Sequence, residues 1–267
     1  VTDLLLTGGR ALDPVAGTDV VADVLVVDGH VAAVGPGLSA PDGAEIVDVT
    51  GLVVTRGFVD LHTHLREPGF EDAEDVATGS AAGAAGGYTA LCPMANTDPV
   101  TDNAAVAEMV WRRGRQVGLA DLFPVGAITK GLAGRELAEL GELHASEARV
   151  DCFSDDGHPV ADALIMRRAL QYATRFGAVV MNHSQDPDLT ADAQMNEGAM
   201  SSVLGLSGWP REAEEVMIAR DLILAAGVGA RLHVPHVTTA GAAELVRAAK
   251  ARGIRVTAEV TPHHLDL

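Results

Sequence analysis

From residue 53 onward, short β-branched runs alternate with longer stretches whose apolar residues fall at helical spacing, and this alternation leaves few folds open. Strand candidates lie at 53–62, 88–94, 122–129, 149–154, 178–183, 231–237 and 255–261. Between them, "NAAVAEMVWRRGRQVG" and "DALIMRRALQYATRFG" carry helical periodicity and stop at glycine. "PREAEEVMIARDLILAAGVG" opens on a proline and acids and stops in the same way. Such alternation means βαβ units and a parallel sheet. Seven units come close to a (β/α)8 barrel, which needs eight. A doubly wound sheet is the alternative. It normally carries a glycine-rich phosphate loop after the first strand, whereas here the first strand runs into "HTHLR".

Residues 1–52 have a different texture, with short β runs broken by Gly, Asp and Pro. In "VVDGHVAAV", Asp28-Gly29 between two apolar runs predicts a hairpin. The expected division is therefore an N-terminal β segment, 1–52, and a β/α domain, 53–267.

Charge and composition exclude several functions. Nineteen Lys and Arg against 37 Asp and Glu give a net charge of −18, which disfavours nucleic acid and anionic membranes as partners. No apolar run reaches the roughly 20 residues that span a bilayer. The N-terminus has no basic region followed by a long apolar one, so it does not read as a signal peptide. Cys92 and Cys152 form no C-x-x-C and both fall within strand candidates, which predicts buried free thiols and a reducing, cytoplasmic setting.

In a β/α barrel the chemistry gathers where strands end. Strand one ends in His62, His64 and Arg66; residues i and i+2 of a strand face the same way, so the two imidazoles converge. Later strands end in Asn96, in Lys130, in Asp155 and Asp156, in His183, in His233 and His236, and in His263 and His264. Histidine and aspartate in that distribution suit a divalent transition metal such as zinc, and the donors exceed one tetrahedral site.

At this point the chain resembles the dihydroorotases of the amidohydrolase superfamily, in their class I bacterial form. The resemblance rests on "GFVDLHTHLREPG", "CPMANT", "GAITKG", "FSDDGHPV", "QMNEGAMSSVLGLSGWPREAEEVMIARD", "LHVPHVTTAG" and "VTAEVTPHHL", in that order over most of residues 50–267. It implies a metal-dependent-hydrolase barrel of the TIM type, here incomplete, with residues 1–52 forming half of a composite β sandwich. It implies two zinc ions: His62 and His64 on the more buried one, Asp156 bridging, His183 and His236 on the second. Arg66 and Asn96 would hold a substrate carboxylate, for which the planar arginine fork is well shaped. The implied reaction interconverts N-carbamoyl-L-aspartate and (S)-dihydroorotate in de novo pyrimidine (UMP) biosynthesis, by attack of a metal-bridging hydroxide on a cyclic amide. Implied partners are a second copy of the chain and aspartate transcarbamoylase.

The chain also departs from the family pattern. The acid/base aspartate of a "TDHAPH"-like motif occurs nowhere in the 267 residues, so no catalytic acid/base is assigned within the chain and the residue is expected beyond Leu267. The chain accordingly reads as a fragment whose open barrel exposes two sheet edges. Ser184-Gln185-Asp186 stands where an acidic pair is usual, and Ala95 where proline is commoner. Blander readings attach to other residues: Asp155 as a local cap or turn former, Lys130, His30 and His144 as surface, His158 as a loop residue, and His233 as packed or hydrogen-bonded. Trp111 and Trp209 read as helix-packing residues. His263 and His264 have no assigned role. Competing functions are another cyclic amidase (dihydropyrimidinase, hydantoinase or allantoinase) and a non-catalytic dihydroorotase-like subunit.

Overall fold

A computed structural model describes residues 2–266. The chain divides into two compact units at 58/59. The first holds one sheet built from β1 (Leu4–Asp13), β2 (Thr18–Val27), β3 (His30–Gly35), β4 (Glu45–Asp48) and β5 (Val53–Thr55). β1 lies antiparallel to β2 and parallel to β4 and β5. The β2–β3 turn has Asp28 at φ 50° and Gly29 at φ 76°, the left-handed pair that a two-residue hairpin requires. Ala11, Ala22 and Val24 form the buried face.

The run expected as one strand over 53–62 is two. β5 pairs with β1, and Arg56-Gly57 separates it from β6 (Phe58–Thr63), which begins the second unit's sheets. The break comes later than the expected 52/53 division because β5 is committed to the first sheet by its hydrogen bonds.

The second unit continues with α1 (Val76–Ala85), β7 (Tyr88–Pro93), α2 (Ala104–Val117), β8 (Asp121–Leu122), α3 (Leu140–Ala145), β9 (Cys152–Phe153), α4 (Ala163–Ala173) and β10 (Val179–Met181). A small excursion, β11 (Met195–Asn196), α5 (Ala199–Leu204) and β12 (Gly208–Trp209), precedes α6 (Glu212–Val228), β13 (Arg231–Val234), α7 (Ala240–Ala251), β14 (Val256–Ala258) and α8 (Pro262–Asp266). The strands run in the orders β6-β7-β8 and β9-β10-β13-β14, and a parallel bridge between Gly126 and Phe153 links the two sheets. This is the βα succession of a TIM-type barrel.

Local chemistry sets the element ends. Asn103, Asp162 and Thr239 cap α2, α4 and α7 with side-chain oxygens, and Gly118 and Gly229 close α2 and α6 in the left-handed conformation. β8 is shorter than the expected 122–129, though Phe123 and Val125 still donate to Leu91 and Pro93 beyond its end. The small residues of α1 and α2 let helices approach strands closely. A Cβ on Gly114 would stand 2.4 Å from Leu122, and one on Gly79 2.5 Å from Leu65. The largest core surrounds Phe153, Ile128, Leu140, Leu143, Met166, Leu170 and Ile218, all fully buried. Trp111 packs half-buried against it from α2, whereas Trp209 lies on β12 and is exposed, so its expected helix-packing role does not hold. No helix among the described residues is long and apolar enough to cross a membrane.

Candidate metal centre

The ends of β6, β9, β10 and β13 deliver His62, His64, Asp156, His183 and His236 to one place. Their donor atoms form two groups, His62–His64–Asp156 and Asp156–His183–His236, each with all its atoms within 4.8 Å of one another. Asp156 belongs to both. Its Oδ1 lies 3.2 Å from His62 Nε2, 3.6 Å from His183 Nδ1 and 3.7 Å from His236 Nε2, and its Oδ2 lies 3.4 Å from His64 Nε2. Two donors bonded to one tetrahedral ion stand about 3.3 Å apart. The spacings therefore fit a metal's coordination shell. His183 Nδ1 and His236 Nε2, 3.1 Å apart, make the same point, because two imidazole lone pairs that close need a proton or a cation between them.

Three of the four imidazoles are held from behind. His62 donates from Nδ1 to Glu259 Oε1 at 2.8 Å, His64 from Nδ1 to Asn96 Oδ1 at 3.1 Å, and His183 from Nε2 to Gln185 Oε1 at 2.9 Å. Such partners fix the tautomer and leave the opposite nitrogen bare for a metal. Without a metal the cluster is electrostatically coupled. Burial works against the charged form of Asp156, but His183, His236 and His62 outweigh it and hold the carboxyl far below its ordinary range. Burial likewise opposes the His62 imidazolium, yet hydrogen bonds to Asp156 and Glu259 raise it to about 9. His64 moves down, chiefly through burial. Burial also pushes the Cys92 and Cys152 thiols up, to about 11 and about 12, consistent with inert free cysteines.

Two backbone outliers carry site residues. Arg66 has φ 61° and His236 φ 36°, left-handed values uncommon outside glycine. Arg66 is half-buried and near enough to His64 to lower it, with no ion-pair partner among the described residues. The donors and Glu259 border a cavity of about 590 Å³ that Val59, Leu61 and Tyr88 also line, a size suited to a small molecule.

Other candidates lie elsewhere. Lys130 is exposed and paired with Glu136 and Glu139, and His158 is exposed. His263 and His264 sit exposed on α8, outside the donor groups. Asp155 opens a turn, its carbonyl accepting from His158 N at 2.9 Å, but its buried side chain is no local cap: it accepts from Ile128 N at 2.7 Å, Thr129 N at 2.9 Å and the Thr129 hydroxyl, tying the end of β9 to the neighbouring loop. His144 is not plain surface either. It stacks on Phe176 at 4.5 Å and faces Asp151 at 2.9 Å. The residue missed in the sequence is Glu259. It is an acid one residue beyond β14, two positions after Thr257, in the same stretch as the more conspicuous His263-His264 pair.

The fold, with a candidate metal cluster at its strand ends, is of the amidohydrolase class that solved hydantoinase structures share. The L-hydantoinase (dihydropyrimidinase) from Arthrobacter aurescens superposes with a TM-score of 0.81 at 22% identity, over 100% of this chain and 60% of that one. The dihydropyrimidinase from Brevibacillus agri gives 0.78 at 25% identity, over 100% and 59%. Within that class, residues 51–242 match the model of the dihydro-orotase-like family, and the chain belongs to it. It is 58% identical over 245 residues to a dihydroorotase of Mycobacterium tuberculosis, covering 92% of this chain and 57% of the relative. It is 59% identical, with the same coverage, to one of Streptomyces coelicolor. A dihydroorotase of Pelotomaculum thermopropionicum is 50% identical over 99% of this chain and 61% of the relative. The chain thus spans less than two thirds of these relatives.

Proposed function

We propose that this chain forms the metal-binding part of a zinc-dependent dihydroorotase, which interconverts N-carbamoyl-L-aspartate and (S)-dihydroorotate in de novo pyrimidine biosynthesis. The observation that carries the reading is Asp156, whose two oxygens face four histidine nitrogens at 3.2–3.7 Å in a chain of the dihydro-orotase-like family. Four neutral imidazoles and one carboxylate suit zinc, and two ions would share the aspartate. Bound there, the ions would supply a water of lowered pKa and polarise the ring amide carbonyl.

The chain's own residues do the rest. His62 and His64 are orientated by Glu259 and Asn96, and His183 by Gln185. Arg66 binds the substrate carboxylate through its unpaired guanidinium, which offsets the acidic character of the surroundings. Asn96 uses Oδ1 on His64 and gives one amide hydrogen to the Asp156 carbonyl at 3.3 Å, leaving a second hydrogen for the same carboxylate. No acid/base for proton transfer is assigned in this chain. A cytoplasmic setting accords with two free thiols, and self-association or attachment to aspartate transcarbamoylase follows from the resemblance alone.

The test is a substrate panel on the full natural protein, read with metal analysis. Ring opening of dihydroorotate, lost on chelation and restored by zinc, with two zinc ions per subunit, is expected. Activity on hydantoin, dihydrouracil or allantoin with none on dihydroorotate would make it another cyclic amidase. Zinc-free and inactive protein would favour the non-catalytic subunit.

A further inference from the structure

Glu259 stands behind the metal-ligand cluster and takes no part in it. Its Oε1 accepts from His62 Nδ1 at 2.8 Å, and its Oε2 lies 3.2 Å from Nε2 of buried His233. That His233 nitrogen has no aligned hydrogen-bond partner, while Nδ1 of the same ring meets Thr257 Oγ1 at 2.7 Å. Thr257 and Glu259 are two residues apart at the end of β14, and His233 lies on the adjacent β13, paired with Thr257 in register. A continuous path of side chains thus runs from Thr257 through His233 and Glu259 to His62, whose far nitrogen faces Asp156 at 3.2 Å.

His62 differs from its neighbours in this respect. His64 and His183 are backed by the neutral amide oxygens of Asn96 and Gln185, whereas His62 is backed by a carboxylate. A carboxylate on the rear N–H of an imidazole fixes the ring and makes its free nitrogen a better donor than an amide does. Glu259 Oε1 accepts from His62 and Oε2 lies beside His233, so the carboxylate is turned away from a ligand's position.

We propose that Glu259 is a positioning residue of the metal centre, which locks His62 with Nε2 bare toward Asp156 and makes the His62–His64 side the tighter of two unequal metal sites. The inference rests on the metal-dependent reading above and deepens it. Glu259 owes its effect to its charge and its place just after β14, where its second oxygen lies beside His233.

The experiment is zinc competition against a fluorescent chelator in the full natural protein, comparing wild type, Glu259→Gln and Glu259→Ala. Wild type is expected to show two affinities. Glu259→Ala should weaken the tighter one by about 10–100-fold and leave the other within about twofold, the usual cost of losing an outer-shell partner. Glu259→Gln keeps an acceptor but not the charge and should fall between. In the zinc-loaded protein, the strongly downfield His62 Nδ1 proton should move upfield in Glu259→Gln. Affinities unchanged in both variants, or equal losses at both sites accompanied by a lower melting temperature, would overturn the proposal. If Glu259→Ala does not fold, the Glu259→Gln affinity and proton shift decide by the same criteria. Wild-type protein that takes up no zinc removes the hydrolase reading and this inference together. Normal zinc uptake with indifferent variants removes this inference alone.

Discussion

At the scale of single residues, the site is organised around one carboxylate. Asp156 is buried, faces four imidazoles and belongs to both donor groups. Asp156→Asn should therefore strip metal from both groups and lower activity by more than about 100-fold, beyond the loss from a supporting partner; metal analysis of the purified variant checks it. The place after a strand marked Asp155 and Asp156 alike, and the family resemblance singled out Asp156 as the candidate ligand; Asp155 was not legible as a clamp, because the backbone groups it accepts from lie 26 and 27 residues away. The pH dependence has a definite sign. In the metal-free protein His62 titrates near 9, above its ordinary 6.5, through Asp156 and Glu259. Its contribution to stability is complete below about pH 6.5 and fades as pH rises through 9. Metal must displace that proton, so zinc affinity should rise by up to about tenfold per pH unit until about pH 9 and then level off. Isothermal titration in buffers of different ionisation enthalpy would count the proton released. Affinity that does not vary between pH 6.5 and 8.5 would contradict the shift.

At the scale of elements, the loops after the strands are held by acids from elsewhere in the chain. Glu214, in the first turn of α6 and buried, accepts from Thr238 N at 2.8 Å, Thr238 Oγ1 at 3.0 Å and Thr239 N at 3.0 Å. That fixes the loop carrying His236 at its left-handed φ. The acidic first turn of α6 was visible in the sequence as a helix start, and its second use was not, since the loop it grips is 24 residues downstream. Glu214→Ala leaves the part-buried N–H groups of Thr238 and Thr239 and the Thr238 hydroxyl without that acceptor. It should cost about 1–3 kcal/mol in a urea melt and weaken the looser zinc site more than the tighter. A variant with wild-type stability and both affinities intact would show that the loop holds itself. Asp221 plays a comparable part, taking a hydrogen bond from Asn182 at 2.7 Å next to His183 while pairing with Arg220.

At the scale of the whole molecule, each outer strand of the second unit's sheets has one strand neighbour among the described residues: β7 for β6, and β13 for β14. Val59 and Leu61 on β6, and Val260 and Leu265 just after β14, are apolar and exposed. Open apolar edges invite pairing between chains. The 267-residue chain expressed alone should show concentration-dependent self-association in light scattering, and a monodisperse monomer up to about 100 µM would contradict this. The succession of βα units, the Asp28-Gly29 hairpin and the gathering of His and Asp at strand ends followed from the sequence itself, because periodicity, turn chemistry and position after a strand are local properties, while the choice of His62, His64, Asp156, His183 and His236 among them came with the family resemblance. The tertiary structure alone decided which sheet holds residues 53–55, that Glu259 rather than His263 or His264 meets His62, and that Gln185 meets His183. Those outcomes depend on which side chains meet across strands and loops distant in the chain, and hydrogen-bond partners separated by up to 197 residues leave no local pattern to read.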